Sequence, residues 1–139
     1  MNIDRTISII ILIFIVVGII GIFYLWLNSN EVESYTEFYL LGQSGKASDY
    51  PTNLSVNQKA SITVGIVNHE YSKTSYLLKI TKNNEILKEE NFTLENNQNK
   101  SIPFDFKAET GQYKIKFDLY KLPDTQNVYR SLFLLVNVN

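Results

Sequence analysis

The stretch GQYKIKFDLY, residues 111–120, decides the fold class because apolar and polar side chains alternate along it. Its apolar face comprises Tyr113, Ile115, Phe117 and Leu119. Its polar face comprises Lys114, Lys116 and Asp118. A period of two over this length is typical of a β-strand with one face in a core and the other in water. The stretch therefore predicts a sheet protein.

The same period recurs on both sides of this strand. It predicts six further strands, at residues 35–42, 60–68, 75–81, 85–94, 101–106 and 130–138. Asn83 and Asn84 predict a hairpin turn, because asparagine tolerates positive φ. Pro103 predicts an edge strand, since proline lacks the N–H that a central strand donates. Residues 46–58 contain Pro51 and show no period, so we interpret them as a loop.

Seven short strands in about 100 residues favour an immunoglobulin-like antiparallel β-sandwich, although another antiparallel topology predicts a similar pattern. Tyr113 lies at the start of the sixth strand, where a tyrosine corner would hydrogen-bond to the backbone. The alternative is that Tyr113 is one more core aromatic. We expect residues 35–139 to form a single all-β domain.

A second kind of pattern precedes this domain. Residues 7–27, ISIIILIFIVVGIIGIFYLWL, contain no charge and would span roughly 31 Å as a helix. This length matches a bilayer core of about 30 Å. A signal peptide would have a shorter apolar stretch and a small-residue cleavage site, whereas this run ends in Tyr24 and Trp26. The sequence predicts a single-pass transmembrane helix over 7–27 and a linker over 28–34.

The charges that flank the helix predict its orientation. Arg5 precedes the apolar run, whereas Glu31 and Glu33 follow it. The positive-inside rule then makes residues 1–6 a cytoplasmic tail and places residues 35–139 outside the cell membrane.

Composition limits the classes of function. The net charge of −1 lacks the basic footprint of a nucleic-acid-binding protein. The sequence has no cysteine, so it has neither disulfides nor thiolate metal ligands. The domain must therefore fold on its hydrophobic core, and we expect no cofactor.

The stretch VGIVNHEYS, residues 64–72, contains the single histidine of the chain. His69 and Glu70 begin an H-E-x-x-H pattern, but Lys73 stands where the second histidine would be. We interpret the stretch as a strand ending, with Asn68 and Glu70 bonding to loop backbone and His69 pointing away from the core face.

No catalytic or metal-ligating set emerges from these residues. Nucleophilic catalysis lacks both a G-x-S-x-G elbow and an acid placed behind His69. A calcium site remains an alternative, because Asp49, Asn68 and Glu70 could supply oxygen ligands. We expect a protein that is not an enzyme.

The last strand is apolar on both faces. Leu132, Leu134, Val136 and Val138 share the parity expected for the core. Phe133 and Leu135 would then point outward, beside Tyr39 or Leu41 if the first strand is a neighbour. This predicts a patch that docks a protein partner or a second copy; the alternative is that loop 43–58 covers it.

Three N-x-[ST] sequons make Asn53, Asn91 and Asn99 candidate glycosylation sites. Chance alone predicts about as many, so they are not evidence for export.

The strings TEFYLLG (36–42), DYPTNL (49–54), GIVNHE (65–70) and YRSL (129–132) resemble the archaeal membrane proteins grouped as domain of unknown function 1616. The resemblance implies an archaeal source and a surface-exposed β-domain, and implies no biochemical activity. With the apolar run, it favours a membrane-anchored module that binds protein partners at the cell envelope. The alternative is a component or anchor of a surface filament, since pilin-like and stator-like proteins also join one apolar helix to a β-sandwich.

Overall fold

A computed structural model of the chain describes residues 2–29 and 33–139 and separates into two compact units, one ending at Glu33 and the other beginning at Ser34. The first unit contains helix α1, Ile3–Asn28, whose residues are all exposed and whose most apolar window has a mean hydropathy of 3.1. The helix contains the predicted run 7–27 and begins four residues earlier. Residues 30–32 of the predicted linker 28–34 lie outside the described residues, and its first residue, Asn28, ends the helix.

The second unit consists of eight strands. They are β1 (Tyr35–Leu41), β2 (Asn53–Leu54), β3 (Lys59–His69), β4 (Thr74–Lys82), β5 (Glu85–Leu94), β6 (Asn99–Lys107), β7 (Gly111–Lys121) and β8 (Arg130–Val138). All seven predicted strands are present. The extra strand β2 lies inside the segment interpreted as a loop. Its two residues are too few to produce a period, so no sequence pattern marked it.

The strands form two facing sheets. One has the order β1-β3-β6 and the other the order β2-β8-β7-β4-β5. Every pairing is antiparallel except that of β2 with β8. β6 is an edge strand, which confirms the prediction from Pro103. The fold is the predicted immunoglobulin-like sandwich.

The core follows the alternation in the sequence. Nine inward side chains of the central strands are at most 1% exposed: Ile62, Val64 and Ile66 of β3, Tyr76, Leu78 and Ile80 of β4, and Ile115, Phe117 and Leu119 of β7. Burying a large apolar side chain contributes about 1.5–3 kcal/mol. A core of this size explains how a chain without cysteine holds two sheets together.

The β4–β5 hairpin turns where it was predicted to turn. Asn83 and Asn84 both have positive φ, 49° and 68°. Two left-handed residues in succession make the type of turn whose twist matches that of the flanking strands. The short polar side chain of asparagine makes this conformation accessible.

Tyr113 is a core aromatic and does not form a tyrosine corner. Its side chain is 9% exposed, and Lys82 Nζ lies 5.2 Å from the centre of its ring. Among the described residues, its hydroxyl makes no hydrogen bond to the backbone. The expectation of a corner was wrong because a tyrosine at the start of a strand can bury its ring without a backbone partner for its oxygen.

Candidate functional site

Asn68 ends the core-facing side of β3 as predicted. It is fully buried, and its Nδ2 donates to the carbonyl of Ser72 at 2.8 Å and to that of Leu94 at 2.9 Å. Its Oδ1 accepts from the backbone N–H of Glu70 at 2.8 Å. A buried amide must satisfy several hydrogen bonds, and here the turn backbone supplies them. Asn68 therefore fixes the path of the chain out of β3.

His69 lies on the outer face of the three-stranded sheet, away from the core face as predicted. Its Nε2 is 3.0 Å from Glu37 Oε1, and its Nδ1 is 3.2 Å from Asn97 Oδ1. The ring of Tyr35 lies against it, with 4.8 Å between the ring centres. Both ring nitrogens thus have partners, one on β1 and the other in the turn between β5 and β6.

The prediction for Glu70 was wrong, because its carboxylate bonds to side chains and not to loop backbone. It accepts from Thr36 Oγ1 at 2.8 Å and from the Tyr129 hydroxyl at 2.5 Å, and lies 3.3 Å from Lys121 Nζ. Thr36 also bonds to the buried hydroxyl of Tyr76 at 2.8 Å. We call these five residues the Glu70 network.

The Glu70 network joins the two sheets at one end of the sandwich. Thr36 is the second residue of β1 and Glu70 follows β3, whereas the other three members lie on or beside strands of the five-stranded sheet. The Glu70 side chain is only 5% exposed. Burial opposes ionisation of this carboxyl, but hydrogen bonds from Tyr129, Thr36 and Lys121 outweigh it and hold its pKa below the ordinary value. Burial, reinforced by the nearby Glu70 carboxylate, raises the pKa of Tyr129.

The calcium alternative fails on geometry. Asp49 accepts from Ser44 Oγ at 2.9 Å in the loop that follows β1, whereas Glu70 contacts Thr36 at the beginning of that strand. These positions are separated by nearly the length of β1, about 20 Å at 3.3 Å per residue. Within residues 2–29 and 33–139, no three His, Cys, Asp or Glu side chains group as metal ligands would.

The predicted partner patch is divided between the two sheets. Phe133 and Leu135 of β8 are 58% and 46% exposed on the outer face of the five-stranded sheet. Tyr39 and Leu41 belong to β1, which pairs with β3 and not with β8. The first strand is therefore not a sheet neighbour of β8, and of its two residues Tyr39 approaches β8 across an open cleft. The inward positions Leu134, Val136 and Val138 are buried as predicted, and Leu132 packs against the core.

An open cleft nevertheless connects β1 and β8. It has a volume of about 350 Å³. Its lining residues are Phe38, Tyr39, Leu40, Ala47, Tyr50, Leu132, Phe133 and Leu134. The loop after β1 contributes Ala47 and Tyr50, and Tyr50 donates its hydroxyl to the Leu40 carbonyl at 3.0 Å. The loop reaches the cleft, but it leaves Phe133 and Leu135 exposed, so the covering-loop alternative fails.

The three sequons are all accessible. Asn53, Asn91 and Asn99 are exposed, on β2, β5 and β6 respectively. Their glycosylation stays a prediction.

Sequence reasoning missed the Glu70 network and the cleft. Glu70 is separated from its hydrogen-bond partners in the network by up to 59 residues along the chain. A carboxylate directly after a buried strand was the signal available, but nothing local pointed to Tyr129 or Lys121. The cleft depends on which strands face each other, which a period of two does not specify.

Solved structures share this architecture. The CARDB domain of a Pyrococcus furiosus protein, solved with di-metal ions, has a TM-score of 0.57 and 18% identity, over 76% of this chain and 93% of that one. A chain of the human seminal-plasma complex between zinc α2-glycoprotein and prolactin-inducible protein has a TM-score of 0.61 and 7% identity, over 79% and 99%. A β-glucosidase from Listeria innocua has a TM-score of 0.55 and 14% identity, over 76% of this chain and 16% of the enzyme. At these identities the likeness concerns the fold alone.

The chain is thus an immunoglobulin-like β-sandwich with a fold similar to that of the CARDB domain, and an apolar helix precedes it in the sequence. Residues 29–137 match the family model described as Domain of unknown function (DUF1616), and the chain belongs to that family. This confirms the resemblance seen in the sequence. No curated protein matches the chain significantly.

Proposed function

We propose that this protein is a membrane-tethered module whose β-sandwich stands outside an archaeal cell and acts by binding protein, not by catalysis. The exposed apolar pair Phe133 and Leu135, beside the open cleft, carries this proposal. Charged and polar residues usually cover the outer face of a sheet, and clustered apolar side chains mark interaction sites. An apolar patch that contains an aromatic side chain and lies beside a cleft has the composition typical of the centre of a protein–protein interface, so we take a protein as its occupant.

The apolar helix supports the tether. α1 has 26 residues with no buried side chain, and its charged residues, Asp4 and Arg5, lie in its first turn. At about 1.5 Å per residue, its uncharged part can cross a hydrocarbon core of about 30 Å. A cleaved signal sequence is the competing role for the same helix. The intact mass of the protein purified from its native membranes decides between them, since an anchor retains residues 1–29.

The polar residues near the end of β3 support a role without catalysis. His69 is shared between Glu37 and Asn97, and the Glu70 carboxylate is enclosed by three donors. A catalytic acid or base needs access to a substrate atom. These groups instead hold strands and sheets together, which is a structural task.

A double substitution tests binding. Phe133→Glu/Leu135→Glu should leave the melting temperature within a few degrees of wild type and abolish the species that crosslink to the protein in native membranes. Ile86→Glu/Leu87→Glu is the matched control, because these β5 residues are also exposed, at 52% and 38%. Unchanged crosslinking in the β8 variant, or loss of folding, would refute a binding role for this surface.

A further inference from the structure

The edge of the five-stranded sheet is only partly occupied by β2. Asn137 N donates to the Thr52 carbonyl at 2.7 Å, and Asn139 N to the Leu54 carbonyl at 3.1 Å. Backbone groups of successive residues face alternate sides of a strand, so the preceding odd-numbered residues face this same edge. Those residues are Ser131, Phe133 and Leu135. Among the described residues, no loop backbone or side chain hydrogen-bonds to their edge-facing groups. Residues 131–135 thus form an open β8 edge.

The other sheet edges carry features that discourage strand pairing. β6 contains Pro103, and β5 carries three consecutive charges at residues 88–90. On β1, the carbonyl of Leu40 already accepts from the Tyr50 hydroxyl. Proline, charge and a covering side chain are the usual protections of an exposed edge. The open β8 edge has neither proline nor charge between residues 131 and 136.

The open β8 edge also has the composition of the strand that would fit it. An added strand must place one set of side chains in the cleft and the other beside Phe133 and Leu135, so both sets should be apolar. β8 itself meets this requirement, with Leu132 and Leu134 on one face and Phe133 and Leu135 on the other. Strands that are apolar on both faces are typical of sheets covered on both sides. Residues 131–135 therefore have the composition expected both of the open β8 edge and of the strand that would pair with it.

We propose that the open β8 edge pairs antiparallel with the same edge of a second copy of this chain. The two-fold register centres on Phe133, which lies opposite Phe133 of the second copy, while Ser131 lies opposite Leu135. No charged residue falls within this overlap, and the two apposed phenylalanine rings bury each other. β2 bounds the overlap at Asn137, and β8 begins at Arg130, so five residues are the length available.

This pairing names a binding partner for the proposed function. It rests on the proposed function, because its affinity depends on the membrane tether. Five residues bury too little surface for a stable dimer in dilute solution. Two copies tethered in one membrane have a much higher effective concentration, which converts a weak contact into a populated one. The expected dimer is consequently reversible and depends on the density of the protein in the bilayer.

Cysteine crosslinking of the full chain in liposomes tests the register, since the natural sequence has no cysteine to interfere. Directly opposed antiparallel residues have Cα atoms about 5.5 Å apart, within the range of a disulfide. Phe133→Cys should therefore give at least fivefold more disulfide-linked dimer than the control Ile86→Cys, whose residue is similarly exposed. Ser131→Cys alone should give little dimer, whereas Ser131→Cys/Leu135→Cys should give much.

Two results would overturn the self-pairing. One is equal crosslinking of Phe133→Cys and Ile86→Cys; the other is crosslinking of Ser131→Cys alone as strong as that of Phe133→Cys. Phe133→Lys, which should abolish the dimer without lowering the melting temperature, checks the same contact without a new thiol, and persistence of its dimer counts against the pairing. If the self-pairing fails while a foreign protein still crosslinks at Phe133, the proposed function stands. If carbonate extracts the chain from membranes, the tether fails, and the same cysteine variants are then compared in solution at a protein concentration high enough to populate a weak dimer.

Discussion

Glu70 shows how one buried carboxylate can serve as a joint between two sheets. Its donors come from the start of β1, from β7 and from the residue before β8. The carboxylate therefore holds the ends of these strands together. Leaving a buried group of such a network unsatisfied costs about 1–3 kcal/mol. The network lies at the edge of the core, where hydrophobic contacts alone would leave the strand ends free.

We expect Glu70→Gln to lower the melting temperature of the domain by several degrees. The amide retains the shape but loses the charge that Thr36, Tyr129 and Lys121 stabilise. A change of about 1 kcal/mol shifts the melting temperature by about 4–8 °C in a domain of this size. Glu89→Gln is the control, because Glu89 pairs with Lys79 at an exposed site. Equal melting of both variants would show that the network adds no stability.

The same residue predicts an acid limit of stability. The pKa of Glu70 is lower in the folded protein than its ordinary value near 4.5. Its ionised form therefore contributes stability that is fully present above about pH 4.5 and is lost as the pH falls through the lower folded pKa. Denaturation followed by circular dichroism from pH 6 to pH 2 should show a steeper loss for wild type than for Glu70→Gln. Parallel curves would contradict this assignment.

A glycine is required at position 65 because of the neighbouring Tyr39 side chain, and not because of a positive φ angle. A Cβ at this position would lie 2.2 Å from the Tyr39 ring, which crosses over the glycine from the adjacent strand. We expect Gly65→Ala to destabilise the domain by about 1–3 kcal/mol in urea unfolding, the usual cost of overpacking. Adding Tyr39→Ala should recover part of this loss, since the two residues then no longer collide. Additive effects of the two changes would refute the contact.

The strands differ in how completely the sequence determines them. β3, β4 and β7 alternate over most of their length, so their buried faces follow from the pattern and their limits follow to within one residue. β2 does not, because its two residues form a strand only through the edge that β8 offers. The site divides in the same way: exposure of Phe133 follows from its parity in β8, but its position relative to Tyr39 depends on which sheet receives β1. The alternation of apolar residues determines which face of a strand is buried. Pairing between segments distant in the sequence determines which strands are neighbours.

The turn of the β4–β5 hairpin tests whether the residues of one local segment determine its conformation. Asn84 has φ of 68°, a conformation that costs most residues about 1–2 kcal/mol but not glycine. Asn84→Ala should therefore destabilise the domain by about 1 kcal/mol, and Asn84→Gly should be neutral or stabilising. Urea unfolding measures both, with Asn91→Ala on the same hairpin as the control. Alanine and glycine variants of equal stability would mean that the turn does not need a left-handed residue.

The helix and the sandwich are formed by separate parts of the sequence. In the proposed function the helix anchors the protein and the sandwich binds its partner. α1 is apolar around its circumference after its first turn, and none of its described side chains is buried, whereas the sandwich has a hydrophobic core of its own. Such a division suits a tethered module, because the anchor and the binding surface can be changed independently. The orientation of the whole chain then rests on Arg5 before the apolar run and on Glu31 and Glu33 after it.

Single cysteines in this cysteine-free chain test that orientation directly. Lys73 and Glu95 form an exposed pair on the sandwich, with side chains 66% and 63% exposed, so Lys73→Cys should react with a membrane-impermeant maleimide on intact cells. Asn2→Cys, which precedes the helix, should react only after the cells are permeabilised. The positive-inside rule supplies the reason, since a cationic flank stays on the cytoplasmic side. Lys46→Cys, in the loop after β1, repeats the first measurement at an independent site. Labelling of Asn2→Cys on intact cells, with Lys73→Cys protected, would reverse the topology and place the open β8 edge in the cytoplasm.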